Sequence, residues 1–106
     1  MELAKRVYEM TGKFPPDERF GLVAQMRRSA VSFPSNLAEG QARHTTGEFV
    51  QFISHSEGSL AELETQLRLS LDFGYCSPVE TERTLLFMEE LRKMLNALRR
   101  RLTDRR

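Results

Sequence analysis

The chain has 106 residues, 40% of them hydrophobic and 29% charged, with a formal net charge of +1. That length suits a single domain over residues 1–106 built around one core, and the composition excludes a disordered chain. No apolar run approaches the ~20 residues of a membrane span, no signal peptide opens the chain, and the lone cysteine, Cys76, cannot form an internal disulfide, so a soluble protein of a reducing cytoplasm is expected.

Apolar residues follow spacings of three and four, not the alternation of strands, so the whole chain reads as helix. Helix one carries Leu3, Val7, Met10 and Phe14 on one stripe, and Gly12 with Pro15-Pro16 stops it. Helix two is expected to start directly after the prolines, with Asp17 and Glu18 in its first turn, where the helix dipole favours acids. Its stripe is Val23, Met26, Ala30, Phe33 and Leu37. Pro34 lies inside it and removes one backbone donor, so helix two should bend there, with Ser32, Ser35 and Asn36 near enough to satisfy the freed groups. Two separate helices around Pro34 are the alternative.

Helix three begins at Thr45, which with Glu48 spells a capping box. Phe49, Ile53, Ser56, Leu60, Leu63 and Leu67 form its stripe, and Gly74 ends it. Helix four opens with Ser77-Pro78-Val79-Glu80, an N-cap serine, a first-turn proline and a capping glutamate. It carries Met88, Leu91, Leu95, Leu98 and Leu102. Four amphipathic helices on short turns predict an all-α, antiparallel up-down four-helix bundle.

The outward faces are unusual. On helix three, Ser54, Gly58, Ala61 and Thr65 form a continuous ridge of small side chains. A helix-interior glycine costs about 1 kcal/mol relative to alanine, and that cost gains nothing on a solvated face. On helix two, Ala24, Gln25, Arg28, Val31, Ser32, Ser35, Ala38 and Glu39 make a short-chained surface, half apolar and half hydrogen-bonding. Both faces suit another protein chain better than water. Ala24, Arg28, Val31, Ser32, Ser35, Ser54, Gly58, Ala61 and Thr65 are therefore the expected oligomer interface. The polar residues Gln25, Arg28, Ser32, Asn36, Glu39, Glu62 and Gln66 complement one another, and a hydrogen-bonded network fixing helix register or subunit orientation is the expected role. A ligand or RNA contact is the competing one.

Charge is uneven along the chain. Residues 44–91 hold two Arg against nine Asp/Glu, whereas residues 92–106 hold seven Lys/Arg against one Asp. Arg92, Arg99 and Arg106 recur every seven residues on helix four, Lys93 and Arg100 line the next column, and Arg101 adds a third. A basic helix face without interleaved aromatics suits phosphate backbones rather than bases. Packing against acidic helices is the alternative.

Catalytic chemistry finds little support. The run SHSEGS at 54–59 holds serine, histidine and glutamate, but neighbours one or two apart on a helix face different directions. His44 and His55 have no partners at metal-ligand spacing, and no glycine-rich phosphate loop is present. No catalytic residue, metal or cofactor is expected.

The runs GLVAQMRRSAVSFPSNLAEG at 21–40, EFVQFISHSEGSLAELETQL at 48–67 and FGY at 73–75 resemble the four-helix-bundle proteins encoded in intervening sequences of bacterial 23S ribosomal RNA genes. The similarity runs from about Tyr8 to about Leu98, and its motifs are long and specific. Relatives usually carry a longer first helix, so the chain is expected to begin late in that helix. The resemblance implies a ring-like homopentamer and no established enzymatic activity. A related group of small bundles serves as accessory proteins of diversity-generating retroelements, binding nucleic acid and a reverse transcriptase. Two functional readings follow. One is an oligomer that binds RNA or other nucleic acid through Arg92, Lys93, Arg99, Arg100 and Arg101. The other is a purely structural or protein-scaffolding homo-oligomer.

Overall fold

The computed structural model describes residues 2–104, and the expected basic position Arg106 lies outside them. Helix α1 spans Glu2–Thr11, a 3-10 turn covers Pro16–Glu18, and α2 (Leu22–Gln41), α3 (Thr46–Asp72) and α4 (Pro78–Asp104) follow. No strand occurs among the described residues. The helices stack up-down: α2 and α3 form a long hairpin, α4 returns along α3, and α1 lies against α2 and α4. The body measures 48 × 24 × 18 Å, and at 1.5 Å per residue the 27-residue α3 accounts for about 40 Å of that length.

The core is the meeting of the expected stripes. Leu3, Val7 and Met10 of α1, Val23, Met26, Ala30 and Phe33 of α2, Ile53, Leu60, Leu63 and Leu67 of α3, and Met88 and Leu95 of α4 are all buried. Phe14 and Cys76 close one end. Helix α1 has only ten residues, so it covers about 15 Å of the bundle. Beyond its reach Leu37, Phe49, Leu98 and Leu102 are only half-buried.

One boundary differs from the sequence expectation. Helix α2 starts at Leu22, not directly after Pro16, because the acids there close a 3-10 turn instead. Gly21 is the N-cap and has no side chain to offer. The Glu18 carboxylate supplies the missing acceptor, receiving the Leu22 amide at 3.4 Å and the Tyr75 hydroxyl at 2.8 Å. The acid still meets the positive helix end, but from outside the helix.

Pro34 does not break α2, which runs on to Gln41. What the stretch around it faces is α3. Ser29 is buried, Ser32 and Asn36 are half-buried, and they meet the buried Ser56 and Ser59. The Ser56 hydroxyl donates to the Phe33 carbonyl at 2.9 Å, one residue before the proline. Gly40 completes this seam: a Cβ there would lie 2.8 Å from Phe52 Cβ and 3.0 Å from Phe49 Cδ1. Small residues on both helices thus let the backbones approach closely, and the serine hydroxyls keep buried polar atoms paired.

The ends follow the expected chemistry. Thr45 Oγ1 accepts the Glu48 amide at 3.1 Å, while its hydroxyl donates to the Glu48 carboxylate. Gly74, at φ +77, ends α3 in a Schellman turn, with Tyr75 N donating to Ser70 O and Gly74 N to Leu71 O, each at 2.9 Å. Ser77 Oγ accepts the Glu80 amide at 3.1 Å.

Candidate functional site

Three surfaces carry the residues singled out by sequence, and the first is a polar cleft between α2 and α3. Positions 25, 28, 29 and 32 follow one another around α2, and 62 and 66 are four apart on α3, so both sets lie beside the seam. Together Gln25, Arg28, Ser29, Ser32, Glu62 and Gln66 line a cleft of about 380 Å³. Five of these belong to the expected polar network. Asn36 and Glu39 do not line it: Asn36 sits further along the seam, and Glu39 pairs with Arg43 at 3.3 Å. Ser29 was not legible as a cleft residue, although its placement three residues before Ser32 is a usable signal.

Hydrogen bonds around the cleft run in one direction. Asn36 Nδ2 donates to Ser32 O at 2.9 Å and to Ser32 Oγ at 3.0 Å. Ser59 Oγ donates to His55 O at 3.2 Å. The 2.8 Å contact between Ser32 and Ser59 is therefore made by the Ser32 proton, since that of Ser59 is used. Of the seven polar residues expected to form a network, only Ser32 and Asn36 bond to each other, with Ser59 of α3 as a third partner. Gln66 is different, because its Oε1 is buried with no hydrogen-bond partner among the described residues. Arg28 and Glu62 are exposed, and neither forms an ion pair among the described residues.

The second surface is an apolar patch across α1, the 3-10 turn and α2. Phe20 is 90% exposed, Tyr8 46% and Val31 43%. With Val23, Ala24, Arg27 and Arg28 they line a depression of about 520 Å³. Arg27 is fixed there by stacking 4.4 Å from the Tyr8 ring centroid and donating to Thr11 Oγ1 at 2.9 Å. Sequence reasoning identified Ala24, Arg28 and Val31 but missed Tyr8, on the outer side of α1, and Phe20, in the turn that leads into α2. Across the cleft, Ser54, Gly58, Ala61 and Thr65 are all exposed, and a Cβ at Gly58 would meet nothing within 4 Å. Ser35 is exposed beside the apolar patch.

The third surface is the basic side of α4, and the structure divides it. Arg92 donates to Glu64 at 3.0 Å and to Glu89 at 2.7 Å. Arg99 grips both Glu57 oxygens and also reaches Asn96 at 3.2 Å and Ser54 at 3.3 Å. The Glu57 hydrogen bond, with its charge, raises the Arg99 pKa further above the ordinary guanidinium value. The heptad that repeats Arg92 and Arg99 matches the one that repeats Glu57 and Glu64 on α3, so this column ties α4 to α3. Lys93 is exposed and lies 3.9 Å from Glu90. Arg100 and Arg101 are exposed without an ion pair among the described residues.

The SHSEGS run splits around its helix. His55 is exposed, Ser56 and Ser59 turn into the seam, and Glu57 turns to Arg99. Cys76 is buried at 3.1 Å from Thr81 Oγ1. No group of three or more His, Cys, Asp or Glu among the described residues is placed to hold a metal ion. No helix among the described residues is long and apolar enough to cross a membrane.

No curated protein matches the chain. Among solved structures, it is similar to a protein of unknown function from the S23 ribosomal protein family of Bacteroides thetaiotaomicron. The two share 21% identity over 92% of each chain with a TM-score of 0.82, a likeness of fold. The family model for the 23S rRNA-intervening sequence protein matches residues 1–97. A match over nearly the whole bundle, with the α2 and α3 motifs inside it, places this chain in the 23S rRNA-intervening sequence protein family.

Proposed function

We propose that this chain is a non-catalytic subunit of a homo-oligomer, assembled through the outer faces of α2 and α3. The observation that carries the reading is the apolar patch of Tyr8, Phe20, Ala24 and Val31 open to solvent, and a separate exposed ridge on α3 of side chains no larger than threonine goes with it. A monomer gains nothing by exposing a phenylalanine at 90%, whereas contiguous apolar patches of this kind mark protein contacts. Gly58 adds to it, since its missing side chain makes room for no neighbour within the subunit. The resemblance supplies the number five for the ring. The variants Phe20→Asp and Val31→Asp should shift the protein to a smaller species in size-exclusion chromatography with its helical circular dichroism intact. Gly58→Leu should do the same. Unchanged elution of all three would remove this interface.

Nucleic-acid binding is a second reading, supported by the exposed Lys93, Arg100 and Arg101 on one end of α4. Arg92 and Arg99 enter it only by leaving Glu64 and Glu57, and partly exposed ion pairs are worth only about 0–1 kcal/mol. A ring would repeat the cluster on every subunit, so weak contacts would sum. Titration of structured RNA should show log affinity falling by roughly 0.7 to 0.9 per contact against log salt. Arg100→Gln with Arg101→Gln should weaken binding. Equal affinity in variant and wild type would leave the scaffold reading alone.

A further inference from the structure

The α2–α3 cleft combines features that a register-fixing network does not need. Its bonded residues, Ser32, Asn36 and Ser59, already use their hydroxyl and amide groups on one another. The charged members, Arg28 and Glu62, stand in the same cleft without pairing, to each other or to another described residue. Between them are the neutral hydrogen-bonding side chains Gln25, Ser29 and Gln66. Gln66 keeps a buried oxygen without a hydrogen-bond partner among the described residues, and an unpaired buried acceptor destabilises a fold.

We infer that this cleft binds a small zwitterion of the free α-amino-acid class, its carboxylate on Arg28 and its ammonium on Glu62. Each competing ligand class meets an obstacle. A phosphate or a dicarboxylate suits Arg28 but is repelled by Glu62. A polyamine suits Glu62 but is repelled by Arg28. An apolar ligand finds no aliphatic or aromatic wall, because all six lining residues are polar. A guest with both charges satisfies both residues and brings donors and acceptors to Gln25 and Ser29. The cleft, about 380 Å³, has room for a guest the size of an amino acid. The Gln66 side chain lines the same cleft, and its rotation would bring the amide to the ligand.

The cleft lies between the faces assigned to assembly and shares Arg28 with one of them, so the inference rests on an assembly that leaves the cleft open. The full chain is titrated with each of the twenty free L-amino acids up to about 10 mM, by calorimetry and thermal denaturation, while light scattering on the same samples records the oligomer. At least one amino acid should bind with a Kd of about 1 mM or tighter and raise the melting temperature by several degrees. The N-acetyl and amide derivatives of that amino acid, each lacking one charge, should bind at least tenfold more weakly. Arg28→Ala and Glu62→Ala should each lose at least tenfold, while Glu82→Ala on the exposed side of α4 should not. Gln66→Leu should melt higher than wild type without ligand and show a reduced ligand response, a trade that a purely structural amide would not make. Failure of all twenty amino acids to bind, equal binding of the capped derivatives, or a Gln66→Leu variant that melts lower would overturn the inference. Failure to bind overturns the inference whatever mass light scattering gives, whereas a monomer mass counts against the assembly reading alone.

Discussion

Gly40 and Gly58 sit inside helices of one small domain, yet replacing each with alanine should have opposite effects. At Gly58 a Cβ meets nothing within 4 Å, so only the backbone term acts. Alanine is favoured over glycine in a helix interior by about 1 kcal/mol, and Gly58→Ala should stabilise the subunit by about that much. At Gly40 the new Cβ would stand 2.8 Å from Phe52 Cβ and 3.0 Å from Phe49 Cδ1. The Phe52 Cβ is anchored to backbone and cannot swing aside, so α2 and α3 must separate. Overpacking of this kind costs about 1–3 kcal/mol. Because Gly40 is next to the last residue of α2, its helical gain is smaller than that of Gly58. Gly40→Ala should therefore lose roughly 1–2 kcal/mol net, and the two variants should differ by about 2–3 kcal/mol. In a domain near 100 residues, each kcal/mol moves the melting temperature by about 4–8 °C. Urea denaturation measures the difference, in a Phe20→Asp, Val31→Asp background that removes assembly from the comparison. Equal and same-signed shifts at the two glycines would refute the close approach at Gly40.

Other expectations follow from single contacts. Pro34→Ala restores a donor to the Ala30 carbonyl and should raise helix content while weakening the proposed assembly, because straightening α2 would shift its core face against its outer face; circular dichroism checks the first and chromatography the second. Arg99→Gln removes the grip on Glu57 and should cost about 0–1 kcal/mol in low-salt denaturation, with the difference shrinking as salt rises. The Tyr75 phenol donates to Glu18 Oε2, and that bond, with partial burial and the acids Glu18 and Asp17, raises its pKa above 10.0. The folded value exceeds the unfolded one, so this stabilisation is complete below pH 10 and is lost as pH climbs through the folded value. Ultraviolet titration should show Tyr75 ionising late, and Glu18→Gln should bring it back toward 10.0.

Much of the bundle is legible in the sequence because its signals are local. The stripes, the Thr45 and Ser77 caps and the Gly74 stop depend on residues within a turn of one another, and the structure realises each. The 3-10 turn was hidden because Asp17 and Glu18 favour any helix start, and the true cap of α2 comes from a side chain outside it. The seam of Ser29, Ser56, Ser59 and Gly40 depends on which faces meet, and spacing alone does not settle that. The same gap explains the basic column. A seven-residue repeat of arginines reads as an exposed stripe until Glu57 and Glu64 are found at the matching repeat on α3. In the polar set, residue types indicated complementarity, but only the fold shows that Ser32 and Asn36 spend theirs internally while Arg28, Glu62 and Gln66 do not.

The outer faces of α2 and α3 are the centre of this account, and the absolute mass of the protein in solution tests them most directly. Multi-angle light scattering at micromolar concentration should give a mass several times the 12.3 kDa of one chain, fivefold for the proposed pentamer. The Phe20→Asp, Val31→Asp variant should return a mass near 12.3 kDa. A wild-type mass of 12.3 kDa would contradict the account, because the exposed Phe20, Tyr8 and Val31 would then have no partner to cover them.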